Sequence, residues 1–166
     1  MHVTGHRLSL GVLGGLSLIG EFYYPASGVK ERIGYLAGAS GQLELRQGLE
    51  LEVDAVYKPM HNSFFTVLSW DFPVLAKYRL AKLGRAPFVE AGPSFRTAGN
   101  LNGYNPSHFG VTAGGGIEMR AGSVRLSPTL RYTRWAKDAS RYHLPAGIDY
   151  SRTNANAVEL LFGVAF

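Results

Sequence analysis

Apolar and polar residues alternate with a period of two along most of this chain. In Leu49–Lys58, the positions Leu49, Leu51, Val53, Ala55 and Tyr57 interleave with Glu50, Glu52, Asp54, Val56 and Lys58. Trp70–Leu80 repeats the pattern, setting Trp70, Phe72, Val74, Ala76, Tyr78 and Leu80 against Asp71, Pro73, Leu75, Lys77 and Arg79. Val124–Tyr132 does so again, with Val124, Leu126, Pro128, Leu130 and Tyr132 against Arg125, Ser127, Thr129 and Arg131. Successive side chains of a strand point to opposite faces, so each segment predicts a strand with one apolar face. The 3.6-residue repeat of a helix is missing from them. Leu8–Leu18, Arg32–Leu45, Pro87–Thr97, Phe109–Ala121 and Val158–Phe166 follow the same template.

The eight predicted strands are 9 to 14 residues long. A strand that crosses a bilayer at a tilt needs about 9–11 residues, whereas globular strands average about 5–6. Their connections alternate in length. Gly20–Glu31, Pro59–Phe65, Ala98–Ser107 and Ala136–Thr153 are longer and polar, while Arg46–Gly48, Ala81–Ala86 and Gly122–Ser123 are short. Outer-membrane barrels have long loops outside and tight turns on the periplasmic side. The expected fold is therefore all-β, an eight-stranded antiparallel up-and-down transmembrane β-barrel with both termini in the periplasm. No Pro/Ser-rich linker divides the chain, so residues 1–166 are read as one domain.

Charge placement tests which face meets lipid. The non-apolar register carries the cations Arg32, Lys58, Lys77, Arg79, Arg96, Arg120, Arg125 and Arg131. It also carries the anions Glu44, Glu50, Glu52, Asp54, Asp71, Glu90, Glu118 and Glu159, eight against eight. An Arg or Lys on the lipid face at mid-membrane costs about 2–4 kcal/mol, and none is predicted there. An eight-stranded cylinder is just wide enough for side chains to fill. Paired charges are thus expected to plug it as structural groups. The reverse arrangement, a soluble lipocalin-like carrier with an apolar cavity, is the alternative.

Outward rings gather toward strand ends at Tyr35, Tyr57, Trp70, Tyr78, Phe95, Phe109 and Tyr132, as interfacial girdles do. The last strand puts Phe162, Val164 and Phe166 on one face, the kind of C-terminal signal read by outer-membrane assembly machinery. No run approaches the 18 apolar residues of a membrane helix. The Leu8–Gly20 stretch lacks a small-x-small cleavage site and reads as the first strand, with a signal peptide expected to precede the mature chain. Lys and Arg, though in excess by five, are scattered singly, which argues against nucleic-acid binding.

The segments LEVDAVYK at 51–58, WDFPVLAKYR at 70–79, PFVEAGPSFR at 87–96, GGGIEMRAGSVRLSPTLRYTRW at 114–135 and ELLFGVAF at 159–166 carry a resemblance. In them the chain resembles the small outer-membrane β-barrel domain proteins, OmpX- and OmpA-like in kind, found in Acidobacteria and other Gram-negative bacteria. The resemblance implies location in the outer membrane and carries no common chemistry with it.

Candidate chemistry is sparse. Gly14-Gly15 and Gly114-Gly115-Gly116 lack the Gly-Lys-Ser/Thr of a phosphate loop and read as relief of crowding inside the cylinder. The histidines His2, His6, His61, His108 and His143 lack zinc-site spacing. His143 with Ser140, Asp138 and Asp149 is the best arrangement for a lipid-modifying enzyme, but loops are rich in such residues, so no catalytic residue, metal or cofactor is expected. Pro73, Pro93 and Pro128 sit awkwardly inside strands that should be fully paired. The expected role is structural or adhesive display of surface loops. The longest loop offers Lys137, Arg141, Tyr142, His143, Asp149, Tyr150 and Arg152 as a contact surface; the expected partners are outer-membrane lipid and the assembly machinery.

Overall fold

The computed structural model describes residues 7–19, 34–46, 48–61, 66–80, 85–98, 107–136, 142–143, 149–150 and 155–166. The strands are β1 (Leu8–Ser17), β2 (Gly34–Arg46), β3 (Leu49–His61), β4 (Thr66–Arg79), β5 (Arg85–Ala98), β6 (Phe109–Ala121), β7 (Val124–Trp135), β8 (Tyr142–His143), β9 (Asp149–Tyr150) and β10 (Asn156–Ala165). Eight of them close into a barrel in the order β1-β10-β7-β6-β5-β4-β3-β2, and β8 and β9 form a separate two-stranded hairpin. Every barrel pair is antiparallel. Closure leaves no unpaired edge, which matters for any strand placed where water cannot satisfy its amides.

The seam runs from Gly11 opposite Ala165 to Ser17 opposite Glu159. Phe166 N donates to Leu10 O at 2.9 Å and Leu18 N to Val158 O at 2.7 Å, extending it at both ends. The short connections and the chain segments before β1 and after β10 share one end of the cylinder. There the β6–β7 turn needs only Gly122 and Ser123 between the paired Ala121 and Val124. Gly122 takes a φ of 64°, in the left-handed region that glycine enters without strain.

Several strands outrun their apolar segments. β3 continues through Pro59 and Met60 to His61, β4 begins at Thr66, and Pro59 lies opposite Leu68. The loop expected at Pro59–Phe65 is therefore shorter than the polar stretch suggested. β5 likewise starts at Arg85 and β10 at Asn156. Backbone pairing does not stop where side-chain hydrophobicity does.

The prolines are accommodated without a register slip. The β3–β4 ladder skips from Val53–Val74 to Val56–Asp71 beside Pro73, and the β4–β5 ladder from Pro73–Ser94 to Ala76–Ala91 beside Pro93. Beside Pro128 the β6–β7 ladder skips from Gly116–Thr129 to Met119–Leu126. Each proline lacks an N–H on one side, and the ladder lapses there for two pairs and resumes in phase. The register shifts at one place, between Glu44 and Arg46 in the β2–β3 pair.

The glycine clusters serve close approach. A Cβ on Gly116 would collide with the Pro128 carbonyl oxygen and stand 2.8 Å from Phe88 Cζ, both fixed by neighbouring strands. Gly116→Ala should therefore destabilise the folded barrel by about 1–3 kcal/mol. A lowered urea midpoint in detergent micelles checks this, and an unchanged midpoint would contradict the crowding.

Candidate functional site in the barrel interior and at its rims

The alternating pleat sends Glu50, Glu52, Asp54 and Lys58 of β3 inward, together with Asp71, Lys77 and Arg79 of β4, Glu90 and Arg96 of β5, and Glu118 of β6. Arg125 and Arg131 of β7, Glu159 of β10 and Glu44 of β2 join them. Each of these carboxylates lies within 4.0 Å of a cation. Most of the side chains are almost fully buried; Lys58, Lys77 and Asp54 are each 1% exposed.

Arg131 is the hub. Its Nη1 reaches Asp54 Oδ2 at 2.6 Å, Nη2 reaches Glu52 Oε1 at 2.6 Å, and Nε reaches Glu90 Oε1 at 2.5 Å. The planar fork of a guanidinium suits it to hold several carboxylates in fixed directions. Lys77 joins Glu52 to Glu118 at 3.2 and 3.9 Å and stands 4.1 Å from the Phe88 ring centroid. Arg79 and Arg125 both contact Glu50 and Glu118, and Arg79 reaches Glu44 at 3.5 Å. Gln42 donates to Glu52 and accepts from Arg125, each at 2.8 Å.

A second group lies toward the long-loop end. Lys58 Nζ meets Glu159 Oε1 at 2.7 Å. Arg96 Nε meets Asp71 Oδ1 at 3.0 Å and stacks 3.8 Å from the Trp135 ring. The apolar side chains Leu13, Leu36, Val56 and Leu161 form a buried cluster on the inward registers of β1, β2, β3 and β10. The hydroxyls of Ser94, Thr112 and Thr133 link β5, β6 and β7 at 2.6 and 2.7 Å. The sequence pattern did not single out these hydroxyls, Gln42 or the Arg96–Trp135 stack; neutral inward residues leave no charge signature.

The expected balance of eight against eight changes. Arg32 lies outside the described residues. Arg120 has the inward register but is exposed at the open mouth, because it lies opposite Arg125 at the last turn before Gly122. Eight acids and six cations therefore make up the described interior network. The surplus falls in the group around Arg131, and buried Glu50 Oε2 and Glu90 Oε2 accept no hydrogen bond from the protein. Among the described residues no three acidic or histidine side chains converge as metal ligands; the carboxylates turn toward cations instead.

The outward surface is the complement. Leu10, Val12, Val53, Val89, Val111 and Leu130 are among its exposed apolar residues. On the described outward registers the charged residues are Arg85 and Arg134, one near each rim. A soluble calyx would need the reverse arrangement of charge. Outward rings concentrate at the long-loop end, where Tyr57 and Trp70 lie 5.5 Å apart and Phe95 and Phe109 5.9 Å. Tyr78 is the member of the predicted girdle at the opposite end, so the rings gathered at strand ends are distributed unevenly between the two rims. Phe162 and Val164 lie on the outward face of β10 and Phe166 follows it in the same register, Phe162 and Phe166 being exposed.

At the short-turn end a recess of about 280 Å³ opens beside Arg7, Gln42, Glu44, Glu50, Arg120 and Arg125. At the other end Tyr142 pairs with Tyr150 and His143 with Asp149 across the β8–β9 hairpin. Of the other predicted loop residues, Lys137, Asp138, Ser140, Arg141 and Arg152 lie outside the described residues.

No protein-family profile matches the chain, and no curated protein matches it in sequence. Solved structures do resemble it. Neisserial surface protein A superposes with a TM-score of 0.71 at 16% identity, over 97% of each chain. The outer membrane protein OprG from Pseudomonas aeruginosa gives 0.58 at 11% identity, over 99% of each chain. The N-terminal β-barrel domain of OprF from the same organism gives 0.54 at 15% identity, over 98% of this chain and 100% of that one. The fold is that of the small outer-membrane barrels.

Removing one partner from a buried ion group leaves the others uncompensated, at about 3–5 kcal/mol. Arg131→Met should lose about that much stability in urea unfolding of the refolded barrel, whereas Arg134→Met on the exposed rim should stay within about 0.5 kcal/mol. Equal midpoints for the two variants would refute the hub.

Proposed function

We propose that this protein is an integral barrel of the bacterial outer membrane, with its termini in the periplasm. On this reading the ion-paired interior blocks passage and the long loops form a non-catalytic binding or adhesive surface. The observation that carries the reading is the outward face, free of charge between Arg85 and Arg134 on the described strands. Acyl chains cover a belt of that kind, closed around the whole barrel, without penalty. Strands of 10 to 14 residues suit a tilted crossing of an apolar band about 25 Å tall. Long loops at the end remote from both termini support outward display, since loops on a rigid scaffold carry recognition. The outward row Phe162, Val164 and Phe166 is assigned to contact with the assembly machinery.

A lipid-modifying reading has one point in its favour, the direct opposition of His143 and Asp149 in the β8–β9 register. Loop display predicts that vesicle lipids stay intact in the presence of both the wild type and His143→Ala. Hydrolysis products formed by the wild type alone would favour the enzyme.

Refolded into detergent, the chain should migrate differently on gels before and after boiling, and in planar bilayers it should pass no steady current. Replacing residues 136–153 with a Gly/Ser linker should preserve the mobility shift and abolish adhesion of cells displaying the barrel to host or abiotic surfaces. Aqueous solubility without detergent would sink the membrane reading, and adhesion unchanged by the linker would sink loop display.

A further inference from the structure

We propose that the short-turn rim of the barrel is a docking surface for anionic phospholipid headgroups, an inference that rests on the membrane reading above. Each corner of that end presents an arginine: Arg7 ahead of β1, Arg46 at the β2–β3 turn, Arg85 after the β4–β5 turn and Arg120 at the β6–β7 turn. All four are exposed, and among the described residues none takes part in the interior ion pairs. The connecting sequences 46–49, 80–87 and 120–124 contain no acidic residue, and Lys82 adds a further cation to one of them. The nearest acids, Glu44 and Glu50, border the same recess as Arg7 and Arg120 but pair with Arg79, and Glu50 also with Arg125.

The distribution of these cations identifies the ligand. They fall in two sets on opposite sides of the barrel, Arg7 and Arg46 by β1 and β2, Arg85 and Arg120 by β5 and β6. Arg7 and Arg120 also border the recess at the mouth, and a single compact anion cannot engage all four. Arg85 adjoins the apolar belt on its own outward register, and the segments that carry Arg7, Arg46 and Arg120 stand at its edge. Arg7 precedes Leu8, 68% exposed, Arg46 follows Leu45, 40% exposed, and Arg85 shares the outward register of β5 with Val89. A ligand meeting both features must place phosphates around a ring with acyl chains alongside, which is the geometry of a bilayer leaflet. Guanidinium groups grip phosphate oxygens in pairs. At the opposite rim the anchoring groups are rings, including Tyr57, Trp70, Phe95 and Phe109. At the short-turn rim arginines stand beside Tyr78, so this end adds selection for headgroup charge to the interfacial anchoring that rings supply.

The test uses the folded barrel in phosphatidylcholine vesicles carrying trace spin-labelled phosphatidylglycerol or phosphatidylcholine. Electron paramagnetic resonance measures the fraction of each label immobilised at the protein surface. The wild type should prefer phosphatidylglycerol by about three-fold or more, and 1 M salt should weaken the preference. Combined Arg7→Gln, Arg46→Gln, Arg85→Gln and Arg120→Gln should bring it close to one, while Arg134→Gln at the other rim should leave it intact. If the combined variant fails to fold, Arg46→Gln and Arg85→Gln singly should each reduce the preference. A wild type without preference, or a preference that survives these substitutions, overturns the proposal even though the barrel inserts. Failure to insert at all would overturn the membrane reading together with it.

Discussion

A guanidinium held by three carboxylates near the middle of a closed cylinder sets the terms for the rest of this structure. Arg131 stands on β7, Glu52 and Asp54 on β3, and Glu90 on β5. In the closed order β3 lies across the lumen from β7. The same guanidinium therefore ties opposite walls together, as Arg125 does to Glu50 and Lys58 to Glu159. In a small barrel with an apolar exterior, solvent exclusion cannot pull the walls inward from outside. The cohesion has to come from the lumen, where low dielectric strengthens each pairing and makes each failure to pair expensive. Glycine where neighbouring strands approach closely, as at Gly116 beside Pro128 and Phe88, leaves the adjoining interior space to other side chains.

Two-residue alternation made the fold and the facing of nearly every strand residue legible from the chain alone. Period two assigns faces whether or not the partners are known, so the charged and apolar registers separate cleanly. Pairing was not legible. Which acid meets Arg131 depends on the stagger between strands distant in sequence, and no local pattern encodes it. The even charge count failed for a related reason. Arg120 obeys the alternation but lies where the cylinder opens, and period two carries no information about depth along the axis. Pro73, Pro93 and Pro128 looked like faults in a continuous ladder because propensity describes a full set of bonds. The barrel instead lets pairing lapse locally and keeps its phase.

The overall charge takes on meaning when it is divided by place. A net charge of +5 suggests a basic protein, yet the described interior network holds more acids than bases, and among the described residues the belt between the two rims carries no charge. The excess positive charge resides at the ends. At the long-loop end the intervening sequences mix Glu21, Glu31, Asp138 and Asp149 with lysines and arginines, whereas the short turns hold cations alone. Such a division does not follow from the needs of folding. Tight turns accept Asp and Asn more readily than Arg, and the Arg131 hub is complete without Arg7, Arg46, Arg85 or Arg120. Charge that neither the turns nor the interior requires is explained by what adjoins it. The rim stands directly beside an apolar belt, and in the proposed membrane setting it falls at the level where a bilayer turns from hydrocarbon to phosphate.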